Sequence, residues 1–234
     1  MATEDEKGKI IAVVAYPGVA LLDLVATQTV LDRGTKYRTI LVGERTEPLG
    51  SDTPLAIVPE KGFEEVPAPY AIVVPGGGMA SLEAMGNERL LNYLRFAEHS
   101  AELIVSVSTG AFVLAAAGLL EGRRATTHLA YSELLEKLGV DYVRGYSVED
   151  GKFLSMEGVS SAIDTTLGLV AKLRGEAAAK RAEMIIEYDP QPPFGPIDWG
   201  GANGEGLGDE LDEHRADLER ALSNRPDLYR KLLG

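Results

Sequence analysis

Residues 103–120 read LIVSVSTGAFVLAAAGLL. An apolar run stops at Val107, Ser108 follows at once, and a helical pattern of small residues begins after Thr109-Gly110. A largely apolar run of this length fits a strand buried on both faces, as in a parallel sheet. The turn from such a strand into a helix places its residue where free backbone N–H groups and the helix dipole favour negative charge. Ser108 is therefore a candidate nucleophile. The same pattern has a second reading, because a serine ahead of a helix start is also an ordinary N-cap.

The flanking chain repeats this strand-to-helix rhythm. IIAVVA at 10–15 predicts a first strand ending at Tyr16-Pro17-Gly18, and VALLDLVATQTVLDR at 19–33 predicts a helix with Leu22, Val25, Thr29 and Val30 near one face. TILVGE at 39–44 and AIVVPGGG at 71–78 predict further strands. Between them PLAIVPEKGFEEVP, broken by Pro54, Pro59 and Pro67, predicts a short hairpin or edge excursion. Residues 81–100 are expected to be helical with Glu and Arg outermost. Beyond the elbow, RATTHLAYSELLEKLG predicts a short strand and a helix, and YVRGYSVEDGKFLSMEG a hairpin around Asp150-Gly151. GVSSAIDTTLGLVAKLRGEAAAKRAEMIIEY predicts a long helical stretch interrupted at Gly175. The alternation implies an α/β domain with a mostly parallel sheet covered on both faces.

Composition sets the boundaries. With 234 residues, 45% of them hydrophobic, the chain can enclose one core, expected over 10–195. Residues 1–9 then form an N-terminal extension, and 196–234 a Gly/Pro-rich arm followed by an acidic helical tail. The opening MATEDEKGK has no basic n-region and no lipid-length apolar stretch follows, so a cytoplasmic protein without a membrane role is expected. A net charge of −13 opposes binding to phosphate backbones, which argues against nucleic acid as a partner. The absence of cysteine excludes disulfides, thiolate metal clusters and thiolate catalysis.

Three further features bear on chemistry. Gly76, Gly77 and Gly78 uncover the backbone after a strand, which suits an oxyanion or carbonyl cradle and equally suits a tight turn; the lysine and spacing of a P-loop are missing. Asp23 lies among Leu21, Leu22, Leu24 and Val25, so it is either solvated on the outer side of its helix or a functional acid with a raised pKa. His128 is the main internal candidate for a general base and could as well be a satisfied structural histidine. His99 and His214 lie in charged helical patterns, and three histidines so scattered have no metal-ligand spacing; no metal and no cofactor are expected.

Taken together, YPGVALLDL, VVPGGG, SVSTGAFVLAAAGLLEGRRATTH, GVSSAIDTTLGLVAKL and MIIEYDPQPPF resemble the ThiJ/PfpI superfamily over residues 10 to about 195, with the isonitrile hydratase-like branch the nearest in pattern. The resemblance implies a flavodoxin-like three-layer sandwich, a homodimer, and a reactive cysteine at the elbow with an acid from the first helix. Carried over by position, Ser108 takes the cysteine site, Asp23 the acid site and Thr109 the residue after the elbow, and Gly77 with Gly78 take the cradle turn. The implied activity is hydration of a small uncharged isonitrile to an N-substituted formamide. Two departures matter. A serine at 108 is a far weaker nucleophile than a thiolate, whether it is natural or a deliberate exchange. SMEG at 155–158 stands where the resemblance implies a run of smaller residues, a change expected to put Glu157 near the site. A non-catalytic member that binds a small molecule, or serves a structural role, is the competing reading.

Overall fold

The computed structural model describes residues 8–195, 219–220, 222–223 and 225–233. The expectations for residues 1–7, for the arm and tail over 196–218 and for His214 lie outside the described residues. Seven strands form the main sheet: β1 (Ile10–Val14), β2 (Arg38–Gly43), β3 (Lys61–Gly62), β4 (Ala71–Val74), β5 (Leu103–Val107), β6 (Ser147–Asp150) and β7 (Phe153–Met156). Their spatial order is β6-β7-β5-β4-β1-β2-β3, and every neighbouring pair is parallel except the β6–β7 hairpin. The centre of the sheet is built from the apolar runs, since every residue of β4 and β7 is buried and β1 is buried from Ile11 onward. Each fully buried Val, Ile or Leu contributes about 1.5–3 kcal/mol relative to an exposed one.

Helices α1 (Leu21–Gly34), α6 (Val159–Arg174) and α7 (Glu176–Ile185) pack together on one face. On the other face lie α2 (Met79–Ala84), α3 (Glu88–Glu98), α4 (Gly110–Ala116) and α5 (Ser132–Lys137). This is the expected α/β sandwich. The hairpin turns at Asp150-Gly151, and α6 gives way to α7 at Gly175, both as expected.

Four details refine or differ from expectation. First, α1 buries Asp23, Leu24, Thr27, Val30, Leu31 and Gly34, while Leu22 is 62% and Val25 45% exposed. The inward face is thus rotated from the apolar one, because it must carry the acid toward the sheet. Second, the helical stretch over 81–100 starts earlier, at Met79, and is cut at Met85–Asn87. Asn87 then caps α3 by accepting from the N–H groups of Arg89 and Leu90, as an N-cap side chain does. Third, the 54–67 excursion splits into a small ladder of Leu49–Gly50 with Ala56–Ile57 and the edge strand β3. Fourth, the end of the tail docks on its own chain. Helix α8 (Pro226–Leu233) buries Leu228 and Leu232, and Arg225 reaches the Met85 carbonyl at 2.6 Å and Glu88 at 3.2 Å.

Among the described residues no helix is long and apolar enough to cross a membrane. Because the net charge is −13, self-repulsion opposes the compact state and salt screens it. The melting temperature is therefore expected to rise by roughly 5 °C or more between 20 mM and 1 M KCl. Differential scanning fluorimetry across that range checks this, and a flat or falling profile would refute it.

Candidate functional site

The carboxyl ends of β7, β5, β4 and β1 lie side by side, where ligands bind in open α/β sheets. Along this rim the next residues of the chain deliver, in order, Glu157, Ser108, Gly76 and the loop leading to Asp23 in the first turn of α1.

Ser108 has φ 54°, one of two non-glycine residues in the left-handed region among those described. Such a backbone costs about 1–3 kcal/mol and persists where its surroundings hold it. Both of its peptide groups are held: its N–H donates to the Met156 carbonyl at 2.8 Å, and its carbonyl accepts from Thr127 Oγ1 at 2.9 Å. The side chain is half-buried, and among the described residues its hydroxyl has no hydrogen-bond partner. Among the described residues no helix amide donates to the Ser108 hydroxyl oxygen, so Ser108 does not act as a side-chain N-cap of α4.

Asp23 is 1% exposed. One carboxylate oxygen, Oδ2, accepts from the Gly76 N–H at 3.0 Å, while Oδ1 is buried without a partner among the described residues. Burial raises its pKa to about 6; the Gly76 hydrogen bond opposes that rise, and the Asp52 carboxylate adds slightly to it. Gly76 is what lets these groups converge. A Cβ on it would stand 2.6 Å from Asp23 Oδ2, 2.9 Å from the Ser108 Cβ and 3.0 Å from Thr109 Oγ1. Acid and serine thus meet around one small space.

Thr109 and the other glycines have different tasks from the ones the sequence suggests. Thr109 Oγ1 accepts from the Gly77 and Gly78 N–H groups at 3.0 and 2.9 Å. With the Gly76 amide on Asp23, all three amides of the turn are engaged within the protein, so the turn positions the acid and the elbow rather than presenting free donors. Tyr16 donates to the Pro75 carbonyl at 2.7 Å, which leaves its oxygen to accept from Ser81, and Ser81 in turn to accept from Thr109. Each hydroxyl in this chain has one proton, so Thr109 has none to spare and acts as a brace. Tyr16 and Ser81 carry no such signal in the sequence. Nothing in MASLEA marks a serine that must face a threonine 28 residues later.

On the other flank of Ser108, His128 lies just past the end of a short strand, Arg124–Ala125, and precedes a single 3-10 turn over Leu129–Tyr131. Its Nδ1 accepts from the Ala130 N–H at 3.3 Å, so Nε2 carries the proton. Glu157 is half-buried; burial raises its pKa, while Arg144 and then His128 pull it back. His99 is on the surface, its side chain 81% exposed. Among the described residues no group of His, Cys, Asp or Glu could hold a metal.

An α/β protein whose parallel sheet presents a strained serine beside a buried acid at its carboxyl rim has a candidate nucleophile-elbow site there. The chain belongs to the DJ-1/PfpI family, whose model matches residues 9–172. It is 39% identical over 180 residues to the isonitrile hydratase of Pseudomonas putida, covering 76% of this chain and 78% of that protein. Protein DJ-1alpha of Drosophila melanogaster is 26% identical over 194 residues, covering 81% of this chain and 89% of that protein. The crystal structure of a ThiJ/PfpI family protein from Pseudomonas syringae superposes with a TM-score of 0.83 at 29% identity, over 91% of this chain and 88% of that one.

Proposed function

We propose that this chain hydrates small uncharged isonitriles to N-substituted formamides, with Asp23 as the acid and Ser108 as the group that captures the carbon. The state of Asp23 carries the reading: a buried carboxyl, with a pKa near 6 and one oxygen unpartnered, beside the elbow hydroxyl. An isonitrile is basic at its terminal carbon, and protonation there makes that carbon an electrophile that a neutral hydroxyl can attack. General acid catalysis thus supplies what a thiolate would otherwise supply, and serine suffices.

In the first half-reaction the Asp23 proton passes to the isonitrile carbon, and the Ser108 oxygen bonds to that carbon. The hydroxyl proton of Ser108 then returns to the Asp23 carboxylate, leaving a formimidate on the serine. In the second half-reaction water adds to the same carbon, the nitrogen gains a proton, and the formamide leaves as the Ser108 hydroxyl re-forms. The 39% identity to an isonitrile hydratase supports this reaction class. In this reading the chain acts as a cytoplasmic homodimer, without nucleic acid or membrane as a partner.

Incubation with n-butyl isonitrile, followed by mass spectrometry of N-butylformamide, tests the reading. The parent chain is expected to turn over, Ser108→Cys to run about 10-fold faster or more, and Ser108→Ala to fall to background. Undiminished formamide from Ser108→Ala would overturn it.

The unpartnered hydroxyl of Ser108 favours a second reading, in which the site binds a small amide or formamide without turning it over. A melting temperature that rises with N-butylformamide, alongside no turnover of the isonitrile, would favour that reading.

A further inference from the structure

The second half-reaction needs a base for the incoming water, and Asp23, protonated when the cycle begins, is not suited to that task. The order of strands along the rim supplies a different group. Ser108 follows β5, with β4 and β1 on one side leading to Gly76 and Asp23, and β7 on the other leading to Glu157. Met156 stands opposite Val107 in the parallel register, and its carbonyl takes the Ser108 N–H at 2.8 Å, so Glu157 is the next residue along from the elbow's own tether. A second tether, from Thr127 Oγ1 to the Ser108 carbonyl at 2.9 Å, makes His128 the next residue along on that side. The residue after Glu157 comes close to His128: a Cβ on Gly158 would lie 4.0 Å from the His128 ring.

From this placement the geometry points to Glu157 as the base that delivers water to the serine-bound formimidate, with His128 as its positioning residue. The inference rests on the isonitrile reading proposed above. The two carboxyls flanking Ser108 differ as an acid and a base should. Asp23 is sealed off, and among the described residues its carboxylate accepts one hydrogen bond, from a backbone amide. Glu157 is half-open to water; burial raises its pKa as it does that of Asp23, but here Arg144 and then His128 oppose the rise. His128 cannot itself be the base at Nε2, because its Nδ1 lone pair is taken by the Ala130 amide and Nε2 carries hydrogen.

The protons balance. Glu157 takes one proton from water as the oxygen bonds to the formimidate carbon, and Asp23 gives its proton to the imidate nitrogen. As the carbon–Ser108 bond breaks, Glu157 returns its proton to the serine oxygen, and the new hydroxyl gives its proton to Asp23 as the formamide carbonyl forms. Both carboxyls end as they began.

The test is Glu157→Gln with n-butyl isonitrile, read by intact-protein mass spectrometry for the serine adduct and by formamide release. The adduct is expected to accumulate, and release to slow by about 100-fold, while adduct formation stays within a few-fold of the parent. In Glu157→Ala, added formate is expected to restore release, a rescue that a purely structural role would not show. His128→Gln is expected to slow release by about 10-fold and to leave the adduct visible. Release at the parent rate from Glu157→Gln, or equal loss of adduct formation and release, would overturn the inference and leave the Ser108 reading standing. Neither adduct nor formamide from the parent or any variant would overturn both.

Discussion

Asp23→Asn is expected to lose about 10²- to 10⁴-fold in isonitrile turnover and, at pH 8, to melt higher than the parent. Both effects follow from one buried group. The folded pKa of about 6 lies above the ordinary aspartate value of 3.8, so the stabilising proton uptake is complete below pH 3.8 and is lost as pH rises through 6. Above that the fold must keep a charged carboxylate sealed from water, with an oxygen that has no partner. The difference amounts to at most roughly 3 kcal/mol at pH 8, since a tenfold change in proton affinity is worth about 1.36 kcal/mol. Asparagine keeps an oxygen for the Gly76 amide and removes the charge. Melts of parent and variant at pH 4.5 and pH 8 should diverge more at the higher pH, while parent activity declines above pH 6 as Asp23 ionises. A variant that melts lower than the parent at pH 8, or that keeps its turnover, would contradict the assignment of Asp23 as an acid.

Gly110→Ala is expected to cost about 3 kcal/mol or more and to lower the melting temperature by about 10 °C. A Cβ there would lie 2.1 Å from the Val74 carbonyl oxygen and 2.8 Å from that of Pro75. These are backbone atoms of the central sheet and of the turn that holds Asp23, so they cannot swing aside as a flexible side chain would. Forcing them apart moves the Gly76 turn away from the elbow, and turnover should fall together with stability. Gly118→Ala is the contrast. A Cβ there would meet nothing within 4 Å among the described residues, so no clash arises, and the penalty is confined to its φ of 80°. If Gly110→Ala melted like the parent, the close packing of α4 against β4 would be wrong.

The strands are legible in the sequence because each central one is an unbroken apolar run, and burial on both faces demands little else. IIAVV, AIVV and LIVSV fall within a residue of where the chain places them. Gly175 and Asp150-Gly151 are equally legible, since each break is local. Ser108 and Asp23 stand out as members of a pattern, whereas their meeting does not. The contact that fixes Asp23 is an amide 53 residues away, and spacing along one chain has no record of it. The inward face of α1 departs from expectation for a related reason. Apolar periodicity selects Leu22 and Val25, whereas the helix turns Asp23 and Thr27 inward because the site lies there. The engagement of the Gly77 and Gly78 amides by Thr109 is likewise a tertiary fact, invisible in a run of three glycines.

What the scaffold grips at residue 108 is the main chain, through the Met156 carbonyl and the Thr127 hydroxyl, and the side chain adds nothing to that grip. The position behaves as a socket. A change of reactive atom there leaves the frame intact, so lineages sharing this architecture are free to trade sulfur for oxygen and alter chemistry without relearning how to fold. That trade also leaves no thiol at the elbow for peroxide to oxidise.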